Sequence, residues 1–303
     1  RFFFRMYQIM IMLFAIPSGP TGCLLSKLFH LPNVLSIHGG DIFDPSKTFS
    51  PHKTPLLSTM VSAMLNSADR VVAQSKDTRE NAYLYYNVTR EIATIPLGIK
   101  KIELEKRTRS DFGFSADEII FCAIGRLIKR KNYEDTIRVI SDLNRKFRLK
   151  LIIIGEGPER LDLERLIRDL GLQKIVRLYG NIPDQEKFQL LSVSDIYLST
   201  SLHEGFGLVF LEAMECGLPI VSYDRGGQNE FLIDGQTGFL VRLGDRKTFR
   251  EKVTELMADP GLRKEAGAFN RRHVTNYYIE NCAEQYFSLF HDVISNRMRV
   301  GAC

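Results

Sequence analysis

The densest group of residues able to bind or react with a ligand is Ser199–Gly207. It lies between an apolar run and a stretch with helical spacing. Glu204 lies in this group, and seven residues separate it from Glu212. Gly205 and Gly207 let the backbone approach a ligand at the predicted helix start, where free N–H groups and the helix dipole favour a diphosphate. Carboxylates repel phosphate but accept hydrogen bonds from sugar hydroxyls. A capping or surface role is the simpler alternative for either glutamate alone, but the whole group favours a phosphate and sugar site.

A cluster of basic side chains is the second feature that could bind a ligand. Arg126, Lys129, Arg130 and Lys131 fall within six residues, directly after the apolar run Ile119–Ile124. On charge alone, a solvated loop is an equal alternative. The position at the end of a predicted strand favours a binding role for Arg126 and Lys131, because ligand sites form at strand ends.

These two groups need a scaffold, and the pattern predicts one from about residue 111 to residue 275. Strands are predicted at Ile119–Ile124, Leu149–Ile154, Ile175–Tyr179, Ile196–Ser199 and Leu218–Tyr223. Helices are predicted at Asn132–Lys146, Leu161–Leu170, Gln185–Val193 and Gly207–Cys216. Wholly apolar strands that alternate with helices form a parallel sheet covered on both faces. The two groups would then lie at the carboxyl edge of one sheet.

The first hundred residues repeat this pattern with fewer elements. Strands are predicted at Asn33–Ile37, Arg70–Ala73 and Ile92–Ile95, and helices at Leu56–Ser67 and Lys76–Tyr86. Three strands are too few for a complete doubly wound sheet. His38 and Asp41 follow the first of these strands; a structural role is the alternative for His38, and Asp41 would equally cap a turn. The polar stretch Lys100–Ser110 is expected to be a linker.

Composition restricts the class of protein. The chain has 303 residues, 44% hydrophobic and 25% charged, which is typical of a globular protein and excludes wholly disordered and collagen-like chains. The 41 basic and 36 acidic side chains leave a charge of +5, too small an excess to indicate nucleic-acid binding. Five cysteines without a C-x-x-C pair argue against a zinc site or disulfide framework and favour a reducing cytosol.

The apolar stretch Arg1–Ile16 raises the question of a membrane helix or signal peptide. It is shorter than the ~20 residues that span a bilayer. A buried strand or helix is therefore expected there.

Several catalytic motifs are absent from the sequence. It contains no G-x-G-x-x-G after a strand, no G-x-x-x-x-G-K-[ST] and no G-x-S-x-G. Their absence disfavours dinucleotide oxidoreductases, P-loop enzymes and α/β-hydrolases. No two aspartates stand one residue apart, so a D-x-D clamp for a metal-bound diphosphate is missing. A phosphate site here is expected to use cationic side chains and backbone N–H groups, without a metal or cofactor.

The stretch from Glu204 to Glu212 resembles the E-x7-E motif of retaining GT-B glycosyltransferases of family 4, the glycosyl transferases group 1. Gly125-Arg126-Leu127 followed by Lys131 resembles the basic pair of that family. Further similar segments are Gly155–Pro158, Gly180–Ile182, Glu212–Pro219 and Gly235–Gly238. The resemblance covers about residues 30–275 and is most specific in the C-terminal half. It implies a GT-B fold: an α/β architecture of two Rossmann-like, doubly wound parallel-sheet domains with the site in the cleft between them.

The resemblance also implies roles for individual residues. Arg126 and Lys131 would neutralise the diphosphate, and Glu204 would bind hydroxyls of the donor sugar. Glu212 would bind the ribose, and His38 would face the donor sugar across the cleft. Backbone contacts to the donor are implied at Gly125, Gly180, Ile182, Gly205, Phe206, Gly207 and Leu208. For Gly180–Ile182 a plain strand-to-helix turn is the alternative.

The implied reaction moves a hexose from a nucleotide diphosphate sugar, of UDP or GDP type, to an acceptor hydroxyl with retention of anomeric configuration. The implied acceptor is a glycan or lipid-linked molecule, in polysaccharide or lipid-linked glycan synthesis. The expected place is the cytoplasm, with peripheral contact to the cytoplasmic membrane face. A nucleotide-sugar-binding fragment without transfer activity is the alternative function. A GT-B phosphorylase or sugar-nucleotide epimerase is another, although the E-x7-E pattern argues against the epimerase.

Three segments are predicted. Residues 1–105 form a partial N-terminal, acceptor-side domain, and residues 106–275 form the nucleotide-sugar-binding domain. Residues 276–303 form a C-terminal helix that packs back on the N-terminal domain. Against the family pattern, the N-terminal domain is expected to lack its first strand and a glycine-rich loop, roughly 80–100 residues by typical domain size.

Overall fold

The computed structural model describes residues 8–47, 49–103 and 107–300. Within these ranges the chain forms two parallel β-sheets, one of four strands and one of six, with helices packed on them. The α/β architecture expected from the alternating apolar runs is confirmed. The predicted boundary between residues 105 and 106 lies outside the described residues.

The four-stranded sheet has the order β1-β2-β3-β4, and every neighbouring pair is parallel. Its strands are β1 (Met10–Leu13), β2 (Asn33–Ile37), β3 (Arg70–Ala73) and β4 (Ile92–Thr94). Its helices are α1 (Gly19–Leu28), α2 (Pro55–Ser67) and α3 (Lys76–Tyr85). The count of three strands is wrong, because the sheet has a fourth strand, β1. This strand lies within the apolar stretch Arg1–Ile16, where a buried strand or helix is expected, but only Met12 of its four residues is buried. The helix α1 was not predicted either.

Side chains of this sheet alternate between two hydrophobic layers. Leu35 and Val71 pack in the layer that contains α1, α2 and α3. Val34 and Val72 point to the opposite face and pack with Val293. Val293 belongs to the last helix, α10 (Ile279–Val300). The C-terminal helix therefore covers one face of the sheet built by the N-terminal part of the chain.

The six-stranded sheet has the order β10-β9-β8-β5-β6-β7, again with parallel pairs throughout. Its strands are β5 (Ile119–Ile124), β6 (Leu149–Ile154), β7 (Val176–Gly180), β8 (Ile196–Ser199), β9 (Ile220–Tyr223) and β10 (Gly238–Val241). Its helices are α4 (Tyr133–Asn144), α5 (Arg160–Asp169), α6 (Asp184–Val193), α7 (Leu208–Glu215), α8 (Arg246–Ala258) and α9 (Pro260–His273). The strand β10 and the helices α8 and α9 were not predicted. For β10 the reason is that the strand is short and begins at a glycine.

The four central strands β6, β5, β8 and β9 are almost fully buried on both faces, as their nearly continuous apolar sequences predict. Phe121 of β5 packs in one layer with Ile137 of α4. The next residue, Cys122, packs in the other layer with Leu190 of α6 and Phe210 of α7. The loops at the strand ends are therefore held on a scaffold that is packed from both sides.

The order of strands reverses between β5 and β8. These two strands are neighbours, although three helices and two strands separate them along the chain. Such a reversal opens a crevice at the carboxyl ends of the strands. Arg126 follows β5 and Glu204 follows β8, so the topology alone brings the basic cluster and the acidic loop to the same crevice.

Candidate functional site

Glu204 is the centre of the polar cluster at the reversal point. The residue is only 4% exposed. Lys131 Nζ forms a short ion pair with Glu204 Oε1, and Arg130 Nη1 lies 3.7 Å from Oε2. Burial opposes the charge, but the two cations and a hydrogen bond from Ser201 outweigh it and hold the pKa of Glu204 below its usual value. The carboxylate is therefore ionised at neutral pH and able to accept hydrogen bonds from hydroxyl groups.

The basic cluster divides into a buried pair and an exposed pair. The side chains of Arg130 and Lys131 are 22% and 11% exposed, and both contact Glu204. Arg126 and Lys129 are exposed. Across the described part of the chain, no residue forms a hydrogen bond or ion pair with the Arg126 side chain. Arg126 thus presents a free guanidinium at the end of β5, suited to a bidentate contact with a phosphate.

The helix α7 begins directly after the loop that carries Glu204. Gly207 has a φ of 92°, a left-handed conformation that favours glycine, and it ends the loop there. The first N–H groups of a helix lack partners within the helix and bind anions readily. Leu208 is the first residue of the helix and is 37% exposed. Leu208 thus lies at the helix start, where the resemblance implies a contact with the diphosphate.

Phe206 has a different role from the loop residues around it. Its ring is 2% exposed and meets the ring of Phe231 edge-on, with 5.1 Å between centroids. The side chain thus belongs to the hydrophobic layer beneath α7. A ligand can reach only the backbone of Phe206.

Glu212 lies in the second turn of α7 and has one cationic partner. Lys187 Nζ, on α6, is 2.8 Å from Glu212 Oε1 and 2.9 Å from Asp184 Oδ1. Glu212 Oε2 is buried and has no hydrogen-bond partner among the described residues. Burial outweighs the Lys187 ammonium and raises the pKa of Glu212. A hydroxyl that donates to Oε2 would satisfy this oxygen.

The loops after β5, β6 and β7 pack closely side by side. A Cβ added to Gly155 would lie 2.1 Å from the backbone oxygen of Gly125, so only glycine fits there. The Gly155 N–H donates to the oxygen of Gly180 at 2.9 Å. Ile182 is half-buried and packs against the layer beneath α6 and α7. The structure therefore joins Gly125 to the segment 180–182 through Gly155.

His38 lies at the end of β2 in the four-stranded sheet. Its ring nitrogen Nε2 is 3.1 Å from the Ser36 hydroxyl, and its ring lies 4.7 Å from that of Phe14. Burial lowers the pKa of His38. Asp41 accepts the N–H groups of His38 and Ala15, each at 2.8 Å. Asp41 therefore links the end of β2 to the backbone at Ala15; both donors precede it in the chain, so these bonds are not a cap of the turn that follows.

The strand-end loops of the two sheets meet at Gly205. A Cβ on Gly39 would lie 2.8 Å from the Cα of Gly205. The Ser75 hydroxyl donates to the Gly205 oxygen at 2.8 Å, and Asp77 Oδ2 is 3.0 Å from His203 Nε2. His38 and the Glu204 loop therefore face each other across one contact zone. The start of α3 holds that loop from the side of the four-stranded sheet.

Sequence reasoning missed four residues that organise this site: Arg130, Lys187, Ser75 and Asp77. Lys187 is 25 residues from Glu212 along the chain, and Asp77 is 126 residues from His203. No local pattern links such partners. A buried carboxylate does require a counter-charge, so the motif glutamates were a signal that unassigned cations had to lie nearby.

Among the described residues, no group of three or more His, Cys, Asp or Glu is arranged to hold a metal ion. Within the described ranges, no helix has the length and apolar character needed to cross a membrane.

Two parallel α/β sheets whose strand-end loops meet at one polar site define a GT-B fold, and solved structures agree. Sucrose-phosphate synthase from Thermosynechococcus elongatus is similar over 96% of this chain and 74% of its own, with a TM-score of 0.85 and 23% identity. The Anabaena protein HepE, solved in complex with UDP, is similar over 94% of this chain and 79% of its own, with a TM-score of 0.82 and 20% identity. At these identities the likeness establishes the fold alone.

The chain belongs to the glycosyl transferases group 1 family, whose family model matches residues 105–273. N-acetyl-alpha-D-glucosaminyl L-malate synthase from Bacillus anthracis is 26% identical over 292 residues, which are 93% of this chain and 74% of that protein. A GDP-mannose-dependent alpha-(1-6)-phosphatidylinositol monomannoside mannosyltransferase from Mycolicibacterium smegmatis is 29% identical over 220 residues, 68% of this chain and 57% of its own. The family inferred from the motifs is thereby confirmed.

Proposed function

We propose that this chain transfers a hexose from a nucleotide diphosphate sugar to an acceptor hydroxyl, with retention of anomeric configuration. The observation that carries the proposal is the environment of Glu204. An ionised, buried carboxylate suits sugar hydroxyls, and the free guanidinium of Arg126 in the same crevice suits a diphosphate. Membership of a glycosyltransferase family supports the reaction class.

The proposed step breaks the bond between the anomeric carbon and the diphosphate oxygen, and negative charge grows on the leaving diphosphate. Arg126, Lys131 and the N–H groups at the start of α7 would stabilise that charge; one such group typically contributes about 10²–10³ in rate. The acceptor oxygen bonds to the anomeric carbon on the same face, and its proton passes to the leaving phosphate. Both motif glutamates are already paired with cations, which supports a route without a carboxylate nucleophile.

The proposed donor is of UDP or GDP type, and the proposed acceptor is a glycan or lipid-linked molecule. Two relatives support this: one is named for GDP-mannose and a phosphatidylinositol mannoside, and HepE was solved with UDP. We propose that the protein acts in polysaccharide or lipid-linked glycan synthesis at the cytoplasmic membrane face. Neither a metal nor a cofactor has a part in the proposed step.

The test combines titration calorimetry against UDP, GDP and ADP with assays of donor hydrolysis and transfer. We expect the wild type to bind at least one of these and to turn over its sugar derivative. Glu204→Ala is expected to lose about 10²–10³ in turnover while circular dichroism shows an intact fold. The matched control is Asp142→Asn, which breaks an exposed ion pair with Arg250 far from the loop.

Each part of this proposal has its own contrary result. Nucleotide binding by the wild type without hydrolysis or transfer would favour the alternative, a nucleotide-sugar-binding module. Full turnover by Glu204→Ala would show that the site is placed wrongly.

A further inference from the structure

Arg130 lies between the two sheets and touches both. Its Nη1 donates to the backbone oxygen of His203 at 2.9 Å and lies 3.7 Å from Glu204 Oε2. Its Nε lies 3.7 Å from Asp44 Oδ2. Asp44 belongs to the loop after β2, in the four-stranded sheet. One guanidinium therefore stands between an anion of the first sheet and the site carboxylate of the second.

Asp44 is a fixed anion and not a mobile surface charge. It is 3% exposed. The N–H and the hydroxyl of Ser46 donate to Asp44 Oδ1 at 3.0 and 2.6 Å, so Oδ2 is left to the cations. Burial opposes ionisation, but the Ser46 hydrogen bonds and the Arg130 charge outweigh it and lower the pKa of Asp44. The loop after β2 thus presents a carboxylate in a defined position.

Arg130 is tied equally firmly to the loop that carries Glu204. The Leu202 N–H donates to the backbone oxygen of Arg130 at 2.8 Å, in addition to the side-chain bond to His203. Arg130 Nε is buried and forms no hydrogen bond with the part of the chain that the structure describes. Both carboxylates stand farther from the guanidinium than the ~2.7–2.9 Å of a charge-assisted hydrogen bond. The side chain is therefore held by one hydrogen bond to His203 and by the charges of two anions, so a change at one carboxylate alters the balance of forces at the other.

We propose that Arg130 is a positioning residue that couples Asp44 in the four-stranded sheet to Glu204 in the donor loop. The inference rests on the proposed function, in which Glu204 binds hydroxyls of the donor sugar. Without the Asp44 charge, the guanidinium is drawn to Glu204 alone, and the carboxylate moves relative to the sugar. In the proposed function the nucleoside diphosphate contacts Arg126, Lys131 and Glu212 but neither Arg130 nor Asp44, so we expect its affinity to change little.

The test measures the preference for nucleotide sugar over free nucleoside diphosphate. Titration calorimetry compares UDP with UDP-glucose and UDP-N-acetylglucosamine, and GDP with GDP-mannose. For Asp44→Asn and for Arg130→Gln we expect about a tenfold loss of affinity for the nucleotide sugar, and less than about a twofold loss for the nucleoside diphosphate. The double variant is expected to match Arg130→Gln alone, because the two residues act through one contact.

Two further variants make the result interpretable. Asp142→Asn, which removes an exposed carboxylate from the pair with Arg250, is the matched control and is expected to change neither affinity. Ser46→Ala removes one donor to Asp44 without removing a charge, and replaces Asp44→Asn if that variant does not fold. We expect it to lower the same preference by about threefold, the effect of one weakened hydrogen bond.

The outcomes separate the inference from the function on which it rests. A wild type that binds none of these probes overturns both. A wild type that prefers the nucleotide sugar, with the preference unchanged in Asp44→Asn, overturns the coupling and leaves the function standing. An equal loss of affinity for both kinds of probe also overturns it, since a general structural role would produce that pattern.

Discussion

Glu204 and Glu212 belong to one short motif, but the folded protein surrounds them differently. Glu204 contacts two cations, and its pKa is lowered although it is buried. Among the described residues Glu212 contacts a single cation, Lys187, and burial raises its pKa. Burial disfavours the charge of both carboxylates, so the number of counter-charges decides the sign of each shift. Two glutamates of one motif can therefore have pKa shifts of opposite direction.

Because their surroundings differ, the two glutamates are expected to interact with a ligand in different ways. The charge of Glu204 is secured by the protein alone, so this carboxylate is ready before a sugar arrives. One oxygen of Glu212 is buried without a partner, and a buried acceptor in that state costs about 1–3 kcal/mol. A ligand hydroxyl that donates a hydrogen bond to this oxygen would recover that free energy. We therefore expect Glu204 to act on turnover and on the preference for nucleotide sugar, and Glu212 mainly on the affinity for the nucleotide itself.

The largest expected effect comes from Lys131→Met, which breaks the Glu204 side of the comparison. The variant removes a cation proposed to face the diphosphate and leaves Glu204 with Arg130 alone. We expect turnover to fall by about 10²–10³ and stability by about 3 kcal/mol, as for a broken buried ion pair. Donor-hydrolysis rates and urea unfolding measure the two losses.

The matched control for this prediction is the double variant Lys131→Met/Glu204→Gln. Removing both charges of a buried pair costs much less stability than removing one. The double variant should therefore regain stability while turnover remains low. If turnover returned together with stability, neither residue would be needed for transfer, and the roles proposed for Lys131 and for Glu204 would both be wrong.

Much of the fold could be predicted because the strands of the six-stranded sheet are buried on both faces. The predicted bounds of Ile119–Ile124, Leu149–Ile154 and Ile196–Ser199 are those of the structure. Strand β1 could not be predicted in this way, since Met12 is buried while Ile11 and Leu13 are exposed in an apolar stretch. All four residues of β1 are apolar, so hydrophobicity does not show which of them are buried in the folded sheet.

The site could be predicted in part, for a similar reason. The reversal between β5 and β8 joins residues near 126 and 204, and the rule for parallel sheets foresees that meeting. Which cations reach Glu204 could not be foreseen, because four basic residues in six present the same local pattern. Packing selects Arg130 and Lys131 and leaves Arg126 free.

A smaller effect is expected from Lys187→Met, which acts on the Glu212 side. Without the ammonium, nothing offsets the burial of Glu212, and its pKa rises further above the usual value. We expect affinity for UDP or GDP to fall by about tenfold at pH 7, the order of one hydrogen bond to a charged group. The preference for nucleotide sugar should be unchanged in the calorimetric comparison. A loss confined to the nucleotide sugar would contradict the division of roles between the two glutamates.

The smallest expected effect is the pH dependence of stability in Glu204→Gln and Glu212→Gln. Its sign is opposite for the two variants. The pKa of Glu204 is lowered by folding, so its stabilising contribution is present above the unfolded-state pKa and is lost as the pH falls through the lower folded value. The pKa of Glu212 is raised, so its contribution is fully present below the unfolded-state pKa and is lost as the pH rises through the higher folded value. Relative to wild type, Glu204→Gln should therefore lose stability, and Glu212→Gln gain it, as the pH rises from the acidic range to neutrality. Each kcal/mol shifts the midpoint of thermal unfolding by about 2–4 °C in a chain of this size, which scanning calorimetry resolves. Slopes of the same sign for the two variants would show that the glutamates share one environment after all.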